Sequence, residues 1–402
     1  MTYRLFNDYN NTMDILEKEY LPRILFWETT KGCNLRCIHC RATATELSSP
    51  DDLTTEECCS LIDQIASFAT PVIVLTGGEP LFRRDIFEIA SYGRDKGLRI
   101  ALATNGTLVT RYMAKRIVAA GIKRVSISLD GCNAGTHDEF RKIPGSFDLA
   151  ITGFNNLKEL GMSLQINTTI TRHNYKELPE ILDLAIKLEA DALHTFLLVP
   201  VGCGVNISED QMVPVEEYER ILNWFYEQSA VQMIDLKATC APHYFRVRSQ
   251  RIISDKKMGI KPQPFVALGT KLKAGHIDKS DINPSRLSAM TKGCLAATGT
   301  CFISHKGDIF PCGYLPVKAG NIKDTPFASI WKGSHIFENL RNPDLLGGKC
   351  GICEYKYICE GCRARAYSQT GDYLAEEPFC IYTPDGNRLK DKVKSCNPVL
   401  KG

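Results

Sequence analysis

A chain of 402 residues, 44% of them hydrophobic, can bury one barrel-sized core and a second module, so a globular protein of one to three domains is expected. Its 49 Lys and Arg against 46 Asp and Glu leave a net charge of +3, which gives no basis for a nucleic-acid partner. No basic-then-apolar leader opens it and no uncharged apolar run reaches the ~18 to 20 residues of a membrane span. A cytoplasmic location is therefore expected, and the 17 cysteines, many in C-x2-C spacings, point to metal ligation rather than disulfides.

Residues 1–21 read as an amino-terminal extension. From 22 to 230 six apolar, β-branched runs recur: ILFWETT (24–30), PVIVLTGGE (71–79), LRIALATNG (98–106), RVSISLDG (124–131), SLQINTTIT (163–171) and ALHTFLLVP (192–200). Each reads as a buried strand. Helical periodicity fills the gaps, as in TTEECCSLIDQIASFA (54–69), SFDLAITGFNNLKEL (146–160) and YKELPEILDLAIKLEA (175–190). Thr54 with Glu57 fits a capping box, Asn174 is placed to cap the helix after it, and Gly97, Gly121 and Gly161 sit where a helix hands over to a strand. This alternation requires right-handed crossovers and a parallel sheet, either a partial barrel or a doubly wound one. From 231 to 290 charged sequence such as RSQRIISDKK and KLKAGHIDKSDINPSR reads as a bridge, and 291–402, rich in cysteine, glycine and aromatics, as a second module that depends on metal for its fold.

After the first strand, TTKGCNLRCIHCRATA places Cys33, Cys37 and Cys40 within eight positions and supplies no fourth. A cubane iron–sulfur cluster held by protein alone takes four thiolates. With three, one iron keeps an open position that a small molecule carrying an amine and a carboxylate can chelate. Further polar outliers fall at the carboxyl ends of the strands, where parallel α/β barrels put their chemistry. They are Gly77-Gly78-Glu79-Pro80, Thr104-Asn105-Gly106, Ser126, Ser128 and Asp130, and Asn167 and Thr169. Downstream, Cys294, Cys301, Cys312, Cys350, Cys353, Cys359, Cys362 and Cys380 are the complement of two closed cubanes, although two C-x2-C pairs would equally suit Zn2+. Cys58, Cys59, Cys132, Cys203 and Cys396 have no ligand spacing and read as inert thiols.

The C-x3-C-x2-C loop resembles the signature of the radical S-adenosylmethionine superfamily. The resemblance implies a partial (β/α)6 barrel, a [4Fe-4S] cluster on Cys33, Cys37 and Cys40, and S-adenosylmethionine on the open iron, cleaved to methionine and a 5'-deoxyadenosyl radical. Gly77 and Gly78 would then let backbone approach the cosubstrate and Glu79 would accept its amino group. Asn105, Ser126, Ser128, Asp130 and Asn167 would serve the ribose, the run Phe196–Val199 with Leu198 would face adenine, and His39 would abut it. The carboxyl-terminal array resembles the SPASM iron–sulfur domain. By that resemblance Cys294, Cys301, Cys312 and Cys362 hold one auxiliary cluster and Cys350, Cys353, Cys359 and Cys380 the other. Cys359-Glu-Gly-Cys362 is one residue shorter than the usual C-x3-C.

SPASM enzymes act mostly on ribosomal peptides or on tetrapyrroles, and the peptide modifiers commonly carry a leader-binding domain for which about twenty residues before the first strand are too few. FWETTKGCNLRCIHCRA, LATNGTLV, KATCAPHYFRV, GTCFISHKGDIFPCGYLPVKAGNI and CGICEYKYICEGCRARAY are similar to enzymes of the alternative, siroheme-dependent haem pathway. That family includes a haem b synthase, which turns two propionates of iron-coproporphyrin III into vinyls, a didecarboxysiroheme deacetylase and haem d1 enzymes. The Cys-Arg-Ala end of the loop and the short amino terminus favour the synthase. An iron-tetrapyrrole substrate and a low-potential donor such as ferredoxin or flavodoxin are implied. His243, Tyr244, Arg246 and Arg248 are the candidates for carboxylate or iron contact.

Overall fold

The computed structural model describes residues 20–232, 234–260 and 293–385. The extension up to residue 19, the KLKAGHIDKSDINPSR segment and Cys396 lie outside the described residues.

The six apolar runs form β1 (Ile24–Glu28), β2 (Val72–Thr76), β3 (Arg99–Thr104), β4 (Arg124–Ser128), β5 (Ser163–Ile170) and β6 (Ala192–Leu197). A seventh strand, β7 (Asp235–Thr239), opens the segment read as a bridge, and β8 (Thr300–Ile303), β9 (Asp308–Phe310) and β10 (Gly320–Asn321) come from the cysteine-rich part. All ten share one sheet in the order β10-β9-β8-β1-β2-β3-β4-β5-β6-β7, parallel from β8 to β7 and antiparallel at β8–β9 and β9–β10. Because β1 to β7 follow one another in sequence order, every right-handed crossover falls on the same side, as in a barrel. A doubly wound sheet would reverse its order partway.

The crossover helices are α1 (Thr55–Phe68), α2 (Ile86–Asp95), α3 (Arg111–Ala119), α4 (Ala134–Arg141), α5 (Ser146–Lys158) and α6 (Leu178–Lys187). Their apolar stripes meet one face of the sheet: Leu25, Trp27, Ile73, Leu75, Ile100, Leu102, Val125, Ile127, Leu164, Ile166 and Leu193 share a core with Leu61, Ile65, Ile89, Ile117, Phe154 and Ile181. Alternation therefore turns Ser126, Ser128, Gln165, Asn167, His194 and Lys237 to the opposite face. The α1 capping box forms in both directions, Glu57 N to Thr54 Oγ1 at 3.2 Å and Thr54 N to Glu57 Oε2 at 2.9 Å. Gly97, Gly121 and Gly161 have φ of +80°, +80° and +71°, a region open to glycine without steric cost. Asn174 does not cap by its side chain; buried, it accepts from Thr171 N and donates to the carbonyls of Asp130 and Thr169, tying β4 to β5.

Helix α7 (Val215–Val231) runs into β7, and α8 (Tyr244–Lys257) packs on it through Arg246–Glu219 and Tyr226–Asp255. Three further helices, α9 (Phe327–Gly333), α10 (His335–Arg341) and α11 (Arg363–Thr370), belong to the cysteine-rich part. Cys301 on β8 pairs with Leu25 on β1, and Phe327 N donates to Gln64 Oε1 of α1. The second module thus extends the first module's sheet and shares its core. Among the described residues no helix is long and apolar enough to cross a membrane.

Candidate functional site

The three-cysteine loop is held from three sides. Thr29 N donates to Thr76 O, Gly78 N to Thr30 O and Glu79 N to Gly32 O, each at 2.8 Å, so the end of β2 lies against the start of the loop. A Cβ on Gly78 would strike Gly32 O and one on Gly77 would strike Thr30 O. These glycines let the two backbones meet, a different use from the cosubstrate approach expected of them. Arg36 N and Ile38 N donate to Arg141 O and Phe140 O at the end of α4, and Cys203 N donates to Cys40 O from the loop after β6.

Glu79 is fully buried and already accepts from Thr104 Oγ1 (2.7 Å), Asn105 N (2.8 Å) and Leu81 N (3.1 Å). Its side chain braces the ends of β2 and β3. Asn105 is also committed to the loop: Nδ2 donates to Asn34 Oδ1 and lies 4.0 Å from Cys33 Sγ, while Oδ1 accepts from Thr107.

Asp130 was expected near a ribose, but it is fully buried in an ion pair with Arg141, at 2.6 Å from Nε and 2.5 Å from Nη2, and accepts from Thr169 N. Arg141 Nη1 then reaches Cys37 Sγ at 3.5 Å. Sequence reading missed Arg141 because no motif marks it; the signal is a buried cation beside a ligand cysteine. Burial pushes the Cys33 thiol up to about 12, with Glu79, Cys37 and Cys40 adding to the rise. Burial also raises Cys37, and Arg141 opposes it. An iron–sulfur core held here would favour the thiolates of Cys33 and Cys37 against that burial. His39 stacks on Phe140 (centroids 4.2 Å apart), its Nε2 lies 3.6 Å from Asp130, and burial pushes it down to about 4.

On the other side of the loop Arg41 pairs with Glu28 and lies over the Phe302 ring, while His305 Nδ1 contacts Glu28 Oε1 at 2.6 Å. Glu28 at the end of β1 thereby joins the loop to β8, a tie between segments 277 residues apart. Ser126, Ser128 and Asn167 are on the face away from the helices, and Leu198, buried just beyond β6, donates its N–H to Ile170 O.

The downstream cysteines gather in two sets. Cys350, Cys353, Cys359 and Cys380 line one space together with His243, Arg246, Lys349 and Glu377. In the second set Cys294 is raised by burial and then by Glu360 and Cys362, Cys312 by burial and then by Cys294 and Cys362, and Cys240 by burial and then by Cys362, Cys312 and Cys294. Each of these thiols feels the charge of the others, which places them near one another. The expected fourth member, Cys301, is elsewhere: it is fully buried on β8 in the apolar core, and burial alone raises its thiol, opposed by Arg341. Five residues lie between Cys301 and Gly307, against twelve between Cys294 and Gly307. Cys240, with φ +56° at the end of β7 where the chain turns toward α8, stands with this set instead. It was missed because its partners are all distant in sequence.

The short Cys359–Cys362 spacing has a physical account. Glu360 and Gly361 are both left-handed, with φ +63° and +65°, and this reversal sends Cys359 to one set and Cys362 to the other. Behind them Arg365 and Glu377, each 1% exposed, pair at 3.0 and 3.1 Å, and Cys362 N donates to Glu377 Oε2. Among the described residues no three His, Cys, Asp or Glu converge closely enough to hold a single metal ion.

The four bridge candidates divide. His243 is fully buried beside the Cys350 set, stacked on Tyr218, with both ring nitrogens unpartnered. Arg246 is committed to Glu219 and Gln250 and faces the same cysteines. Neither is placed to receive a substrate carboxylate. Tyr244 and Arg248 are half-buried on α8.

Residues 27–185 match the radical SAM superfamily and 294–363 the SPASM iron–sulfur cluster-binding domain. The AdoMet-dependent heme synthase of Methanosarcina barkeri is 49% identical over 90% of this chain and 97% of its own, and that of Nitratidesulfovibrio vulgaris 43% identical over 90% and 93%. Fe-coproporphyrin III synthase of Methanosarcina barkeri is 30% identical over 90% and 88%. The fold is that of Streptococcus suis SuiB bound to its precursor peptide SuiA, with a TM-score of 0.68 at 18% identity over 95% of this chain and 82% of that one. A loop one thiolate short, two deeper thiol sets and identity along nine-tenths of the length agree, and the chain belongs to the radical SAM, SPASM-domain family of AdoMet-dependent haem synthases.

Proposed function

We propose that the chain makes haem b by oxidative decarboxylation of two propionates of iron-coproporphyrin III. The observation that carries this reading is the gap between 49% identity to an AdoMet-dependent heme synthase and 30% to an Fe-coproporphyrin III synthase, both over 90% of the chain.

Cys33, Cys37 and Cys40 would hold the first cluster. When bound there, the cluster with S-adenosylmethionine supplies a 5'-deoxyadenosyl radical. For each vinyl formed, a propionate gives up one hydrogen atom from its β-carbon, carbon dioxide and one electron. The chain's own residues set the conditions. The Asp130–Arg141 pair keeps a cation against Cys37, and Glu79, Asn105 and the paired glycines fix the loop against β2 and β3. Cys240, Cys294, Cys312 and Cys362 are the candidate ligands of one auxiliary cluster, and Cys350, Cys353, Cys359 and Cys380 of another. These sets are where the chain would hold an acceptor for the electron, at a potential that the surrounding hydrogen bonds and burial tune.

Anaerobic turnover with iron-coproporphyrin III and, separately, with didecarboxysiroheme tests the reading by product mass. Loss of carbon dioxide twice from the first substrate and no change in the second is expected. Loss of acetate from the second, with the first untouched, would overturn it.

A further inference from the structure

Committing Arg246 to Glu219 removes a cation expected for the substrate, and tetrapyrrole propionates still require donors. Register places Ser128, Asn167, His194 and Lys237 in one row across β4 to β7. The next row, Ile127, Ile166, Leu193 and Leu236, turns toward the helices, so the first row belongs to the open face.

Two members of that row are donors that lack an acceptor. Gln165 Nε2 donates to Asn167 Oδ1 at 2.7 Å and to His194 Nδ1 at 3.0 Å, which leaves the ring proton on Nε2. Nε2 is buried with no partner, in a residue only 8% exposed. Directly opposite on β7, half-buried Lys237 has no hydrogen bond or ion pair from its ammonium among the described residues. Burial pushes the Lys237 ammonium below its ordinary value, and the fields of Asp235, two residues away, and Cys240 oppose that.

We propose that Lys237 and His194 seat a propionate carboxylate of the tetrapyrrole, one oxygen accepting from the ammonium and the other from Nε2–H. Identifying the carboxylate as a tetrapyrrole's rests on the haem-synthase reading; the pairing of two unmatched donors does not. The seat stands on β6 and β7, three residues before Cys240, so it ties substrate recognition to the strand that also feeds an auxiliary thiol set.

The test is an anaerobic absorbance titration of the cluster-loaded wild type, Lys237→Gln, Lys237→Arg and His194→Gln with iron-coproporphyrin III and with its tetra-amide. A charge-assisted bond lost to a neutral side chain should weaken the tetra-acid about ten-fold or more in Lys237→Gln and by less in His194→Gln. Lys237→Arg should restore most of the affinity, and the tetra-amide should bind all four proteins alike. Unchanged tetra-acid affinity in Lys237→Gln would overturn the seat, as would an equal loss for both ligands or a loss confined to S-adenosylmethionine. Failure of the wild type to bind the tetra-acid at all would instead strike the haem-synthase reading on which the ligand's identity rests.

Discussion

The three-cysteine loop and the auxiliary thiol sets do related work by opposite means. The loop draws its three candidate ligands from eight consecutive positions, and the fold only has to brace it, through β2, the end of α4 and the turn after β6. The set around Cys362 is assembled from the end of β7, from both sides of β8 and from the turn before α11, so it cannot form before the sheet does. A cofactor site that must leave one position open can be local. One that closes on four thiolates ties the domains together.

The largest effect should come from the loop. Cys37→Ala should reduce 5'-deoxyadenosine formation with dithionite to background, because the remaining two thiolates cannot hold the cubane; residual cleavage near the wild-type rate would dissolve the contrast. Next, Cys240→Ala should lower iron and sulfide by about four atoms each per chain, while Cys301→Ala keeps both and loses about 1 kcal/mol for its small cavity. The reverse result would return Cys301 to the ligand set.

The buried pair behind the auxiliary sets comes third. Glu377→Gln removes one partner of a pair that is 1% exposed on both sides, and about 3–5 kcal/mol of stability should go with it, measured by thermal unfolding of the cluster-loaded protein. Burial pushes the Glu377 carboxyl up, but Arg365 and then His243 outweigh it and hold it at about 2, against an ordinary 4.5. With the folded value depressed, the pair's contribution is complete above about pH 4.5 and is lost as pH falls toward 2; Glu377→Gln should flatten that limb. The smallest effect belongs to the first module's surface, where Thr54→Ala breaks the α1 capping box at about 1 kcal/mol and should leave iron content untouched.

The same contrast explains what could be read in the chain. Six strands, the α1 cap, the helix-ending glycines and the loop are written in local patterns, and each forms where its pattern stands. DLKAT escaped notice as β7 because Asp235, Lys237 and Thr239 turn to the open face and leave only Leu236 and Ala238 to look like a strand. Cys240 has no ligand-spaced neighbour at all, so only the folded sheet brings it to Cys312 and Cys362. Glu79 and Asp130 stand out by position at the strand ends, but the contacts they make are to Thr104 and Arg141, partners that lie 25 and 11 residues away and that no local pattern announces.

An iron left free by the protein is tested most directly by electron paramagnetic resonance of the reduced, cluster-loaded chain, with and without S-adenosylmethionine. One cluster signal should shift when the nucleotide is added, and that signal should be missing from Cys37→Ala. Spectra that stay superimposable in the wild type would contradict an open iron on Cys33, Cys37 and Cys40.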